Sequence, residues 1–218
     1  MDEFGRHTEF LQGPTAIRHD LLEYLKHTIP AAIQYARQEW GDGVFLAEPQ
    51  QYLPYEPLGI SHRTGPILGI GIPGTQASEH VDFSDAMETE TMTRYSARIY
   101  LWCYTPEDVD ERVPEEPRNE ALRLRDDMST LIRSALFTEP GLNDPERYSL
   151  HVDTIREEFS DGTQVPNNSG RYIAAVAISF SLDVEERLFR PVYGFVSDSD
   201  TEDPGVDVQG SLLRRDHE

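Results

Sequence analysis

The sequence predicts an α+β fold: a mostly antiparallel sheet of about four or more strands with helices packed on one face. Three observations support this prediction. Some segments space their apolar residues as helices do, others alternate apolar and polar residues as strands do, and the order is helix, helix, strand, strand, helix, strand, strand, tail. The 218 residues can bury one core. We expect one domain over residues 14–190, between an N-terminal arm at 1–13 and an acidic C-terminal tail at 191–218.

The helical segments are marked by their ends and by apolar stripes. Pro14 suits the first turn of a helix, Pro30 is expected to restart or kink that helix, and Gly41 is expected to end it. Another helix is expected over about 118–137. The stripes consist of Ile17, Leu21, Tyr24 and Leu25, then Ile33, Ala36 and Trp40, and in the later helix Ala121, Leu124, Met128, Leu131, Ile132 and Ala135.

Four segments are predicted to form strands. Residues 67–72 are a short apolar run typical of a buried strand. Residues 91–104 alternate in polarity and become apolar on both faces toward their end, which predicts a central strand covered on two sides. Residues 148–159 and 171–188 are separated by a polar loop, so we expect an antiparallel hairpin.

The connecting segments are polar or rich in proline. Residues 44–65 contain Pro49, Pro54 and Pro57 and are expected to form an extended loop or an edge strand. Two further connections are predicted, a long polar excursion at 73–90 and an acidic connector at 106–117.

The charge composition excludes several classes of partner. There are 40 acidic and 19 basic residues, a net charge of −21, and the only lysine is Lys26. Such a surface repels nucleic acid phosphates and acidic membranes. Loss of lysine with a gain of Asp and Glu is typical of proteins that work in brine, although an acidic protein from a GC-rich genome would share it. No apolar segment has the length of a membrane span or a signal peptide, so we expect a soluble protein that is not secreted.

Three glycines match the dinucleotide-binding fingerprint G-x-G-x-x-G. They are Gly69, Gly71 and Gly74. The fingerprint requires a helix that opens through the last glycines, and the residues that follow have no apolar helical stripe. We therefore expect a close-packed strand and turn instead of a nucleotide site.

The candidate metal ligands and nucleophiles are also weak. His80, Asp82 and Asp85 are competent ligands for a divalent cation, but their spacing matches no metal code, so a solvated acidic loop is expected. Cys103 is the single cysteine, so an intrachain disulfide is excluded. Its place on a predicted buried strand indicates an inert core thiol. No nucleophile pattern includes the remaining candidates, His62, His151, Ser179 and Ser181.

Paired carboxylates, a glycosylation sequon and a short C-terminal patch complete the candidates. Neighbouring carboxylates do not face one another on a helix or strand, so these pairs are expected on solvated faces: Glu115–Glu116, Asp126–Asp127, Glu157–Glu158 and Glu185–Glu186. Asn167, Asn168 and Ser169 match the N-glycosylation sequence, but these residues beside Gly170 are also typical of a turn, which explains them without a glycan. Leu212, Leu213, Arg214 and Arg215 form a short apolar and basic patch, either a frayed end or a docking tip. We predict no catalytic, cofactor-binding or metal-binding residue, and no enzyme.

Four segments follow one another in an order that resembles the tail terminator (tail completion) family of tailed viruses. They are LLEYLKHTIPAAIQYARQEW, RYSARIYLWCY, EALRLRDDMSTLIRSAL and RYIAAVAISFSLDV, and the resemblance spans about residues 14–190. It lies in the order of elements and not in a diagnostic motif. The resemblance implies a small α+β subunit that forms a six-membered ring on the last ring of the tail tube, stops tube growth and faces the head connector. With this composition, it implies a virus of a halophilic archaeon.

The resemblance also implies partners and location. We expect a homo-oligomer, the tail tube protein and the head–tail connector or stopper protein as partners, and DNA that passes through without specific binding. The protein would be made in the host cytoplasm and reside in the neck of the virion. A head completion (stopper) protein and a portal adaptor are close alternatives. A metal-dependent hydrolase or nuclease with carboxylates from positions 82, 85, 126 and 153, or a binding module of the host cell, are more distant ones.

We predict that the fold depends on salt. The charge of −21 repels itself in dilute buffer, and the Debye length falls from ~10 Å at 0.1 M salt to ~3 Å at 1 M. The midpoint of thermal unfolding should therefore rise between roughly 0.1 and 3 M KCl. A midpoint that does not change over this range would contradict the prediction.

Overall fold

In a computed structural model, two helices pack on a mixed, mostly antiparallel sheet of six strands. The predicted α+β class is confirmed. The structure describes residues 13–41, 44–57, 65–78, 88–105, 116–165 and 171–189. Three predicted segments lie wholly or almost wholly outside these ranges: the arm at 1–13, the connector at 106–117 and the tail at 191–218.

The two helices are α1, Pro14–Trp40, and α2, Glu116–Thr138. α1 continues through Pro30, so the prediction that Pro30 restarts the helix is wrong. A proline inside a helix costs about 3 kcal/mol. The neighbouring Ile29 and Ile33 are fully buried, and burial of two such side chains offsets a cost of that size. The helix ends at Gly41, whose positive φ of 58° is readily adopted by glycine.

The sheet has the strand order β1-β2-β3-β6-β4, and β5 lies beside β6. β1 pairs in parallel with β2, whereas every other pair is antiparallel, which confirms the predicted hairpin of β4 and β6. The two-residue strand β5 was not predicted. The bounds are β1 Gln51–Leu53, β2 Ile67–Ser78, β3 Glu88–Tyr104, β4 Tyr148–Phe159, β5 Thr163–Gln164 and β6 Tyr172–Phe189.

The segment predicted as a polar excursion at 73–90 is largely strand. β2 continues to Ser78 and β3 begins at Glu88, and only 79–87 lie outside the described residues. The pairing of β2 with β3 shifts register between Gly71 and Gly74 and again between Thr75 and Ala77. Such irregularities accommodate proline and glycine in a strand, and they hide the strand because they interrupt alternation.

The main core lies between the helices and one face of the sheet. Ile70, Ile99 and Ile178 occupy one row across β2, β3 and β6, and all three are fully buried. A smaller cluster on the opposite face surrounds Tyr104. β3 is therefore central, as predicted, but it is covered on both faces only near its end. Helix residues of the main core include Ile17, Leu21, Leu25, Ile29, Ile33, Leu124, Met128 and Ile132.

We predict that a charge in this core prevents folding. Ile178→Asp, or Val176→Asp, places an unpaired carboxylate between sheet and helices, at a cost of several kcal/mol. Total stability is only about 5–15 kcal/mol. Ala177→Asp is the matched control because Ala177 lies on the other face and is only partly buried. Circular dichroism should show loss of structure for the first two variants and retention for the control. Native spectra for Ile178→Asp would mean that the strand is misplaced.

Candidate functional site

The three glycines of the fingerprint all lie in β2, so the predicted strand is confirmed and the geometry of a nucleotide-binding turn is not formed. Packing explains two of them. A Cβ atom on Gly69 would lie 2.6 Å from the Tyr55 carbonyl oxygen, and one on Gly71 would lie 2.9 Å from the Tyr100 ring. Glycine is required here because neighbouring groups approach the backbone closely.

The predicted core thiol and the candidate hydroxyls have structural partners. Cys103 is completely buried, and burial raises the pKa of its thiol, so the reactive thiolate is disfavoured. Arg98 Nε donates to Ser179 Oγ at 2.9 Å, and Ser181 Oγ donates to Gln76 Oε1 at 3.0 Å. The first contact joins the neighbouring strands β3 and β6, and the second joins β6 to β2 across β3, on the outer face of the sheet, the face away from the helices.

Two of the paired carboxylates are not on solvated faces. Glu186 is only 5% exposed and accepts hydrogen bonds from Tyr95 Oη at 3.0 Å to each oxygen. Glu157 accepts from Ser129 Oγ and, at 2.6 Å, from Arg133 Nη1. The prediction is wrong for these two because distant elements supply their partners. It is confirmed for Asp126, Glu158 and Glu185, which are exposed, whereas Asp127 is partly buried and accepts a hydrogen bond from the Phe45 N–H.

Arg125, on α2, is charged but only 8% exposed. Its guanidinium lies 4.9 Å from the centre of the Phe159 ring, in cation–π range. It also donates to the Ser160 carbonyl oxygen at 2.5 Å and to Asp126 Oδ1 at 2.8 Å. An arginine can bury its stem and keep its head paired, so helical periodicity alone does not place it.

The candidate metal ligands fall outside the part of the chain that the structure describes. His62, His80, Asp82, Asp85, Glu115 and the Asn167 sequon lie outside the described residues, as do Arg214 and Arg215. Within the described ranges, no three His, Cys, Asp or Glu side chains are grouped so as to hold a metal ion. No helix in the described part of the chain is long and apolar enough to cross a membrane.

A polar cluster lies on the outer face of the sheet, around Asp183. Arg94 Nε and Nη2 donate to its two oxygens at 2.6 and 2.9 Å, and His151 Nε2 lies 2.7 Å from Oδ2. The hydrogen bond from Arg94, followed by that from His151, lowers the pKa of Asp183 to about 2. The cluster joins three strands, because Arg94 on β3 and His151 on β4 both contact Asp183 on β6.

An apolar groove of about 690 Å³ lies between the C-terminal halves of α1 and α2. Tyr24 Oη donates to the Ala135 carbonyl oxygen at 2.9 Å and joins the helices at this level. The loop after α1 closes one end, because Asp127 accepts the Phe45 N–H at 2.7 Å. Tyr35 and Trp40 line the groove and are 60% and 63% exposed. Apolar lining with exposed aromatic rings is typical of a docking surface.

The edge of β4 is a second candidate surface. Near its start the edge is covered, because Leu150 N–H donates to the Pro140 carbonyl oxygen at 2.9 Å. Just after its end, Ser160 N–H donates inward to the Ala175 carbonyl oxygen. Since N–H groups alternate in direction along a strand, the N–H of Phe159 points away from β6. The last part of β4 therefore presents backbone groups that another strand can pair with.

No model of a known protein family matches this chain, and no curated protein matches it. The groove and the β4 edge are therefore interpreted from their own geometry and chemistry.

The low pKa of Asp183 leads to a prediction about pH. Its carboxylate has a lower pKa in the folded state, about 2, than in the unfolded chain, ~3.9. It therefore contributes stability above about pH 4, and this contribution is lost as the pH falls toward 2. Asp183→Asn should lower the midpoint of thermal unfolding at pH 7 by a few degrees, and the difference from the unmodified chain should shrink toward pH 2.

The control is Asp161→Asn, at an exposed carboxylate, which should leave the midpoint unchanged at every pH. A difference for Asp183→Asn that stays constant from pH 7 to pH 2 would show that the ion pair is not its source.

Proposed function

We propose that this chain is a structural virion protein that forms a ring at the head–tail junction, terminates the tail tube and joins it to the head connector. The observation that carries the proposal is the asymmetry of the sheet, which ends in β4 on one side and in the three-residue strand β1 on the other. Two unlike edges favour a head-to-tail contact between copies, and such contacts close into a ring when the rotation is suitable.

The β4 edge supplies a direct means of contact. The outward N–H of Phe159 and its 52% exposed ring lie together at the open end of the strand. Strand addition at a sheet edge uses main-chain hydrogen bonds for affinity and side chains for specificity. A neighbouring copy that pairs here would extend the sheet from one subunit to the next.

The charge of the chain suits a passage for DNA. A net charge of −21 disfavours binding to phosphates, so a lumen with this character lets a duplex pass without gripping it. At molar salt the repulsion between subunits is screened within ~3 Å. We therefore place the ring in a virus whose host lives in brine, where like-charged subunits can associate.

We predict that assembly depends on the Phe159 backbone. Phe159→Pro removes the outward donor without removing a hydrogen bond to β6, whereas Phe159→Ala removes the same ring and keeps the donor. Light scattering in molar KCl should give the unmodified chain and Phe159→Ala a mass of several 24.8 kDa subunits, with Phe159→Pro shifted toward the monomer. Circular dichroism checks that both variants are folded. Equal masses for the two variants would exclude the edge as the contact.

The terminating role is tested with the tail tube protein of the virus that carries this chain. Tube protein polymerised in molar KCl should form shorter tubes when this protein is added, and the added subunits should label one tube end. Tubes of unchanged length, with no bound protein, would contradict a terminator. Binding only to the connector would indicate the stopper instead.

A further inference from the structure

The groove between α1 and α2 has apolar walls and a negative rim. Ala31, Ala32, Tyr35, Trp40 and Leu46 supply apolar and aromatic surface. Exposure of such an apolar surface to water is unfavourable. An exposed apolar patch is also unusual on a chain with a net charge of −21, and such patches mark interaction sites. The groove, at about 690 Å³, is large enough to hold several side chains of a peptide.

The rim selects the charge of what binds. Among the described residues, Asp127 and Glu139 are the acidic ones that line the groove, and no arginine or lysine is among them. The hydroxyls of Ser134 and Thr138 donate to carbonyl oxygens of their own helix, at 2.9 and 2.8 Å, so these donors are already used within α2. The groove therefore favours a segment that carries both apolar side chains and cations.

The chain itself contains such a segment beyond the last described strand. After Phe189, the end of β6, the sequence continues to Glu218, and its only arginines or lysines past Arg190 are Arg214 and Arg215. They follow Leu212 and Leu213 directly. Two adjacent leucines and two adjacent arginines match the apolar walls and the acidic rim.

The segment can reach the groove of its own subunit. A Cβ atom on Gly13 would lie 3.8 Å from Glu186 Oε1, so the end of β6 lies near the start of α1. α1 has 27 residues and is roughly 40 Å long. The stretch from Phe189 to Leu212 spans up to roughly 75 Å when extended. The groove lies along the second half of α1, well within this distance.

We propose that the groove binds residues 212–215 of the same chain, with the leucines on the aromatic wall and the arginines at the acidic rim. A tether of this length gives a local concentration in the millimolar range, which favours the attached segment over one from another molecule in dilute solution. The N-terminal arm fits less well. Phe10 and Leu11 are only two or three residues from Gly13, and residues 1–12 have three acidic side chains against Arg6.

The first test uses Trp40 as a reporter in the full chain. In a Trp102→Phe background, where Trp40 is the only indole, Leu212→Asp with Leu213→Asp should raise the acrylamide quenching constant about two-fold, because the docked leucines no longer shield the ring. Val206→Asp with Val208→Asp is the matched control in the same tail and should leave the constant unchanged. Equal quenching in all three proteins would overturn the proposal.

The second test identifies which chain supplies the segment. Ala31→Cys with Leu213→Cys should form an intrachain disulfide, at monomer mobility in dilute solution, at least ten-fold faster than Ser149→Cys with Leu213→Cys. Ala31 and Ser149 are both exposed, Ser149 lies on β4, and the native Cys103 is buried and does not compete. Predominantly interchain disulfides, or equal rates for the two pairs, would overturn docking within one chain. Neither test depends on ring assembly.

Discussion

The ladder between β3 and β6 determines the position of every other element. All 17 residues of β3 pair with β6, from Glu88 opposite Phe189 to Tyr104 opposite Ile173. Because side chains alternate between faces, this register places one continuous apolar surface under the two helices. β2 and β4 add to either side of the ladder and leave the sheet with two unlike ends. A shift of one strand by one residue would turn the apolar face of that strand toward solvent.

Nearly all of the positive charge of this chain is carried by arginine, and this choice affects how its carboxylates are paired. Lys26 is the only lysine, and three of the contacts that join elements use arginine: Arg94 with Asp183, Arg133 with Glu157, and Arg125 with Phe159. A guanidinium presents a planar fork that pairs two carboxylate oxygens and stacks on rings, which an ammonium does not. Arginine thus lets a strongly acidic chain pair some of its carboxylates inside the structure while the rest stay hydrated at the surface.

Regular periodicity made much of the fold predictable. The alternation in 91–104 and 171–188 and the apolar stripe of 118–137 predicted β3, β6 and α2 because each buries one strict face. The strand at 73–78 was missed because irregular register hides its alternation. Burial of Glu186 and Arg125 depends on partners more than thirty residues away. The groove was not predictable either, since it depends on how two helices meet, which no local pattern encodes.

The unlike sheet edges and the acidic charge support the proposal that this subunit contacts copies of itself. Images of the purified protein in molar KCl test that proposal most directly. Class averages viewed down the particle axis should show a closed ring of repeated subunits around an open centre. Fields that contain only particles of single-subunit size, at every protein concentration, would contradict it.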